Sequence, residues 1–265
     1  MKDFISHLRF DNCDVADLLK RYKQDILNNN KRITVTPNLD GMRITYKDDK
    51  LRQLINYKAD YVTIDGKPIL WLSKFNKKTV FKHKISGSDL TIDVLKMANE
   101  MHLSICIFGG SEEALVKASK NIITNYPYVT IATTISPEFG YEKNVKLTEK
   151  YVKMLNECEA NIYLLCTGFP KTEKFYFENM EKLNNGLYFC VGATVDFLAG
   201  TIKRAPKWMS NIGLEWLYRL TKDFKRLFKR YWLDFWFLLK ILFINIFKKK
   251  VLEEKRKYEE NIDVH

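Results

Sequence analysis

Leu103-Ser104-Ile105-Cys106-Ile107-Phe108-Gly109-Gly110-Ser111-Glu112 is the stretch that decides the fold. Residues 104–108 form a short, almost unbroken apolar run, as expected of a strand covered on both faces. Gly109 and Gly110 suit a tight turn, and Ser111 before Glu112 supplies helix N-cap chemistry. The unit reads strand, turn, helix. Its glycines would let a phosphate approach the backbone at a helix N-terminus, but a turn alone explains them equally well. The string is not G-x-G-x-x-G and the chain holds no Walker sequence, so NAD and ATP machinery lack support.

The same alternation extends in both directions. Strands are predicted over 33–36, 61–64, 129–133, 162–166 and 187–191, and helices over 40–56, 88–101, 112–126, 142–157 and 172–183. Links of two to six residues between them imply a parallel α/β sheet with right-handed crossovers. With no internal repeat or low-complexity linker, residues 1–202 are expected to form one catalytic domain and residues 203–265 an appendage.

Several strand ends carry residues that ordinary connectors do not need. Thr36-Pro37-Asn38, Asp65-Gly66, Gly168-Phe169-Pro170-Lys171 and Gly192-Ala193-Thr194-Val195-Asp196 join Gly109-Gly110 at one rim, where parallel sheets bind ligands. Asp65 could serve as a general base or only shape an Asp-Gly turn. Thr36 and Asn38 could position a hydroxyl or cap the next helix. Asp196, flanked by apolar residues, needs a hydrogen-bonding partner, with a ribose, a base N–H or a helix terminus as candidates.

Four scattered histidines share no metal-ligand spacing, and no paired carboxylates end a strand to hold a divalent ion. A zinc site and a hydrolytic triad are rejected, and no metal or cofactor is expected. Five cysteines without a CxxC pair read as small buried hydrophobes in a reducing compartment. The N-terminus lacks the apolar stretch of a signal peptide, so catalysis is expected in the cytoplasm.

The 265 residues carry a net charge of +12, and residues 203–265 hold 16 basic against 8 acidic side chains. Such asymmetry suggests a polyanionic partner surface. Residues 214–231 are predicted as one amphipathic helix, with Trp216, Leu217, Leu220, Phe224, Leu227, Phe228 and Tyr231 on one arc. Residues 231–247 are aromatic and aliphatic but interrupted by Asp234, Lys240 and Asn245, short of the about 20 apolar residues a span requires. A helix lying on an anionic membrane surface fits best; a helix pair packed on the domain is the alternative, and 248–265 reads as a charged, solvated tail. Continuous apolar runs suit a phosphate-tracking groove poorly, although a non-catalytic nucleic-acid-binding module remains the rival reading.

Taken together, these strings resemble the WecG/TagA/CpsF family of bacterial glycosyltransferases. The matching strings include Thr36-Pro37-Asn38, Ala59-Asp60, Asp65-Gly66, Ser86-Gly87-Ser88-Asp89-Leu90, Phe108-Gly109-Gly110, Gly168-Phe169-Pro170-Lys171 and Asp196-Phe197-Leu198-Ala199-Gly200. Lys203-Arg204-Ala205-Pro206-Lys207-Trp208 and Gly213-Leu214-Glu215-Trp216-Leu217-Tyr218-Arg219-Leu220 complete the set. The resemblance implies a Rossmann-like, largely parallel sheet and transfer of an N-acetylmannosamine-type sugar from a UDP-sugar to an undecaprenyl-diphosphate-linked acceptor. It implies metal-independent, inverting chemistry with Asp65 as base beside Thr36 and Asn38, and Asp196 in the uridine pocket. Gly109, Gly110, Lys171 and Gly192 would line the donor site, with Lys84, Arg219 and Arg226 near the diphosphate. The basic C-terminal segment would reach the inner face of the cell membrane; a homo-oligomer is left open. Two positions depart from the family pattern: Thr172 stands where Gln is frequent, and Lys84 where Arg is usual.

Overall fold

In a computed structural model the backbone is described for residues 2–74, 81–202 and 214–262, with 206 and 209; the side chains of 215, 226 and 246 onward lie outside the description. The chain opens with a hairpin, β1 (Lys2–Ile5) and β2 (Leu8–Asp11), followed by α1 (Val15–Leu27). The central part runs β3 (Lys31–Val35), α2 (Leu39–Thr45), α3 (Asp49–Lys58), β4 (Tyr61–Val62), α4 (Lys67–Ser73), α5 (Gly87–Glu100), β5 (Ser104–Phe108), α6 (Glu112–Asn125) and β6 (Thr130–Ile135). A 3₁₀ turn at Tyr141–Lys143 leads into α7 (Val145–Glu157), β7 (Ile162–Leu165), α8 (Lys171–Asn179), β8 (Gly186–Cys190) and α9 (Thr194–Leu198). Among the described residues two C-terminal helices follow, α10 (Glu215–Lys222) and α11 (Phe224–Ile262).

Strands β3 to β8 form one six-stranded, all-parallel sheet in the order β4-β3-β8-β7-β5-β6. Period-two alternation splits its side chains between two cores. Ile33, Val35, Cys106, Phe108, Tyr163, Leu165, Tyr188 and Cys190 face one, and Ile105, Ile107, Ile162, Leu164, Leu187 and Phe189 the other. Both faces are therefore covered, and the fold is the Rossmann-like α/β arrangement expected. All five cysteines are free, four of them buried.

The differences from expectation are local and have physical causes. Helix 40–56 is two helices, because the Asp48 carboxylate accepts from the Leu51 amide at 3.0 Å and starts a new one. Helix α5 begins at Gly87 rather than at 88, capped by Ser86. Strand β4 is only two residues long: the Thr63 amide still donates to Val35 O at 3.0 Å, but Ile64 O accepts from the Ile85 amide at 2.9 Å. The helix expected over 214–231 breaks at Asp223, whose non-helical backbone (φ −145°, ψ 64°) closes α10. Phe224 then opens a 39-residue helix that absorbs 231–247 and continues through the charged tail to Ile262. Among the described residues, no helix is long and apolar enough to cross a membrane.

Candidate active site

Because every strand of the sheet runs parallel, every loop leaving a strand's C-terminal end emerges at the same rim. Strand order fixes the sequence of those loops. Asp65 follows β4, Thr36-Pro37-Asn38 follows β3, Gly192–Asp196 follows β8, Gly168–Lys171 follows β7 and Gly109-Gly110 follows β5. With neighbouring strands about 4.8 Å apart, the rim from β4 to β5 spans roughly 19 Å.

At the β4–β3 end the loops are stitched together by backbone. The Asp65 amide donates to Pro37 O at 3.3 Å, the Ile85 amide to Ile64 O at 2.9 Å, and Thr63 Oγ1 to Ile85 O at 3.0 Å. Asp65, Thr36, Asn38 and Lys84 thus gather in one place, all half-buried. The N-cap of α4 is Gly66, the residue after Asp65, which offers no side chain. Thr36 Oγ1 donates to Cys190 O at 2.9 Å, locking its hydroxyl to β8. Asn38 Oδ1 accepts from the Gly41 amide at 3.0 Å, so Asn38 is the N-cap of α2. Its amide nitrogen keeps its donor capacity in addition to that cap.

Helix α5 aims its N-terminus at the same spot, a feature that the site residues drawn from sequence omit. A Cβ on Gly87 would lie 2.8 Å from Thr36 Oγ1 and 3.4 Å from Val191 Cα, so only glycine lets α5 come this close. In the sequence Gly87 stands only within the matching string Ser86-Gly87-Ser88-Asp89-Leu90. Asp60, from the same set of strings, is structural: it binds Arg32 at 3.0 Å and the Ile33 amide at 2.9 Å, beneath β3.

The β5 end is equally tight. Gly109, at φ +115°, passes so close to β7 that a Cβ would sit 2.6 Å from the Cys166 carbonyl carbon. At Gly110 a Cβ would meet Val195 Cγ1 at 2.6 Å. Ser136 Oγ donates to Gly110 O at 2.8 Å. Helix α9 therefore bridges the two ends of the rim, and it holds Asp196, half-buried in its first turn. Lys171 sits further out, paired with Glu142 at 3.1 Å and over the Phe139 ring at 4.7 Å.

The appendage contributes one of its two expected arginines to the described site. The Arg219 guanidinium on α10 lies over the Phe197 ring at 5.1 Å, one residue from Asp196. Arg226 lies on α11 with its side chain outside the described residues, as do Lys203, Arg204, Ala205, Lys207, Trp208 and Gly213 altogether. Thr172, buried, joins a hydroxyl chain, with Thr167 Oγ1 3.0 Å from its own oxygen and 3.1 Å from the Tyr141 hydroxyl. Next to it Glu173 is buried with one carboxylate oxygen unpartnered, and burial pushes its pKa up to about 8. Sequence reading passed over Glu173 because a Glu in a helix's first turn is unremarkable. Among the described residues, no three His, Cys, Asp or Glu side chains cluster so as to hold a metal ion.

Helix α11 presents two apolar faces. Leu227, Asp234, Phe237 and Ile241 are buried against the domain, with Phe237 edge-on to Tyr46 at 5.6 Å. Phe224, Phe228, Trp232, Phe235, Trp236, Leu239 and Phe243 are exposed. At 100° per residue the two sets are centred about 150° apart. Packing on the domain and an outward apolar face, which the sequence offered as alternatives, coexist on one helix.

A sequence profile described as the glycosyl transferase WecG/TagA/CpsF family matches residues 4–251. Three similar proteins are named N-acetylglucosaminyldiphosphoundecaprenol N-acetyl-beta-D-mannosaminyltransferase, from Staphylococcus aureus strains MW2, NCTC 8325 / PS 47 and COL. Each is 26% identical over 251 residues, which cover 94% of this chain and 91% of the relative. With nearly its whole length matched and the motif-bearing loops brought to one rim, the chain belongs to the WecG/TagA/CpsF family and is a glycosyltransferase.

Proposed function

We propose that this glycosyltransferase moves an N-acetylmannosamine-type sugar from a UDP-sugar onto an undecaprenyl-diphosphate-linked acceptor, working at the inner face of the cell membrane. The acceptor and sugar class follow the names of the S. aureus relatives. The observation that carries the reading is the order of loops along the rim: Asp65 with Thr36 and Asn38 at one end, glycine turns and Asp196 toward the other. An extended nucleotide-sugar laid along it would set its anomeric carbon near Asp65 and its uridine near Asp196.

In this reading the Asp65 carboxylate takes the proton of the acceptor hydroxyl as that oxygen bonds the anomeric carbon. The bond from that carbon to the donor phosphate breaks with inversion, and UDP leaves with the electron pair. Lys84, Arg219, Arg226 and the N-terminus of α5 balance the growing charge on the diphosphate without a metal. Gly109, Gly110, Lys171 and Gly192 line the donor side. The exposed aromatic face of α11, flanked by Lys225 and Lys229, rests on anionic lipid, where each basic residue contributes about 1 kcal/mol. The domain boundary lies near residue 202, and the appendage beyond it supplies lipid docking as well as Arg219 and Arg226 at the diphosphate.

A panel of UDP-sugars, each with and without the lipid-diphosphate acceptor, tests this through released UDP. UDP release that requires both the acceptor and an N-acetylmannosamine-type donor, and that persists in EDTA, is expected. Activity lost to EDTA and restored by magnesium or manganese would overturn metal independence. Salt-dependent RNA binding without UDP binding would replace the reading with a nucleic-acid module.

A further inference from the structure

The junction between α2 and α11 holds four alternating charges where hydrophobic packing alone would suffice. Arg43 Nε donates to Asp234 Oδ1 at 2.8 Å, and the other arm of its guanidinium donates to Asp40, three residues back on α2. Arg230 Nε approaches Asp40 Oδ2 at 3.9 Å. Asp234 is only 5% exposed. A carboxylate buried this deeply is costly unless its partner is held in place.

Two features give the cluster meaning. First, α11 is apolar on both sides, so hydrophobicity does not decide which side meets the domain. Asp234, in the middle of the buried seam, does: turned outward, the helix would strand Arg43 and Asp40 against aromatic rings. The buried ion pair selects one of two packings, the best-attested role of such pairs. Second, α2 is seven residues long, about 10 Å. Its N-cap is Asn38, and the residue before that, Pro37, accepts from the Asp65 amide. The clasp grips this short rod through Arg43 in its last turn and Asp40 in its first, two residues from Asn38 and three from the Pro37 that holds the proposed base's loop.

We propose that Arg43, through Asp234, is a positioning residue: the clasp orients α11 with its aromatic face outward and holds the Asn38–Asp65 end of the rim in working geometry. The inference rests on the roles given above to Asp65 and Asn38. Arg43 itself touches no reacting group.

The test uses the full-length chain carrying Arg43→Met, Asp234→Asn, Arg43→Lys, or Arg43→Met combined with Asp234→Leu. Folding is checked first by circular dichroism and thermal midpoint. For folded Arg43→Met, kcat should fall about tenfold or more while KM for the UDP-sugar stays within about twofold, the signature of misplacement rather than lost binding. Arg43→Lys should recover part of the loss, since it keeps the charge but not the fork. The double variant should do no worse than Arg43→Met alone, because both substitutions break one link. Hydrogen exchange at the Asp65 amide should quicken in Arg43→Met, a readout that needs no substrate. Should Arg43→Met not fold, Asp234→Asn, which keeps shape and an acceptor oxygen, must show the same kcat fall and faster exchange. Native kcat and native exchange in a folded clasp variant would overturn the proposal. Failure of the native chain to transfer any sugar would instead strike the functional reading, leaving the exchange experiment to judge the clasp.

Discussion

The rim of the sheet and helix α11 hold their functional residues by opposite means. Along the rim, Asp65, Thr36 and Gly110 are fixed by backbone contacts to rigid neighbours, each loop locked to the next by hydrogen bonds of 2.8–3.3 Å. On α11 the orientation of every side chain follows from one seam, in which Leu227, Phe237 and Ile241 supply area and Asp234 supplies direction. The first arrangement spreads its hold over several contacts, with the clasp on α2 as its one outlying support. The second concentrates its information in few residues, so the two regions should answer to mutation differently: the rim through chemistry, the helix through docking.

The largest effect is expected at the rim. Asp65→Asn should lower kcat by roughly 10²–10⁴-fold, the usual worth of a positioned base, with the thermal midpoint little changed because the amide keeps the shape of this half-buried side chain. Initial rates of UDP release alongside a thermal melt decide it. Near-native turnover would remove Asp65 from the mechanism and with it the chemical half of the comparison.

Next comes the seam. Phe237 is 7% exposed, and Phe237→Ala should cost about 3 kcal/mol, toward the lower end for a buried Phe because the site is peripheral. Urea unfolding, with limited proteolysis to report undocking of α11, measures it. An unchanged midpoint with unchanged proteolysis would mean the helix is not held by this face.

Much of the rim was legible in the sequence, because parallel strands bury both faces and their short apolar runs stand out between amphipathic helices. Residues 104–108 appear where the pattern put them. The loops after them meet at one rim because a parallel sheet puts all such loops on one side, a topological fact that needs no side-chain detail. What stayed hidden depends on distant partners. Arg43 and Asp234 are 191 residues apart, and Asp234 reads in sequence as an interruption of an apolar run rather than as half of a buried pair. Periodicity exposes apolar residues on α11 but cannot say which of two faces meets the protein. The hairpin β1–β2, with four-residue strands, and α4, with seven residues, are too short for a periodic signal to rise above composition. Gly87 drew no site role from the sequence because its closeness to Thr36 exists only in three dimensions.

The rim also carries a cost that pH should reveal. Glu173, under the β7 loop, has a folded-state pKa near 8, raised by burial from 4.5. Its contribution to stability is complete below pH 4.5 and is lost as pH rises through 8, because the unfolded chain releases that proton earlier. Glu173→Gln should therefore flatten the stability profile between pH 5 and 8. It should add about 1–2 kcal/mol at pH 8, a gain limited because the buried amide inherits the unpartnered position. Chemical denaturation across that range measures it, and parallel profiles for both proteins would place the carboxyl in contact with water.

The smallest effect separates the two faces of α11 most cleanly, since it concerns the residue next to Phe237. Trp236 points away from the seam and is 54% exposed, in a ladder with Phe228 and Trp232. Trp236→Ala should leave stability within about 0.5 kcal/mol, as for other surface positions. Partitioning onto anionic vesicles should weaken roughly fivefold, or about 1 kcal/mol, if this face enters the headgroup region. Vesicle sedimentation and analytical ultracentrifugation of the same samples distinguish the outcomes. Native sedimentation with vesicles, together with a changed oligomeric state, would assign the aromatic ladder to a second copy of the chain instead of the bilayer. The seam would then remain as described, and only its outward counterpart would change partner.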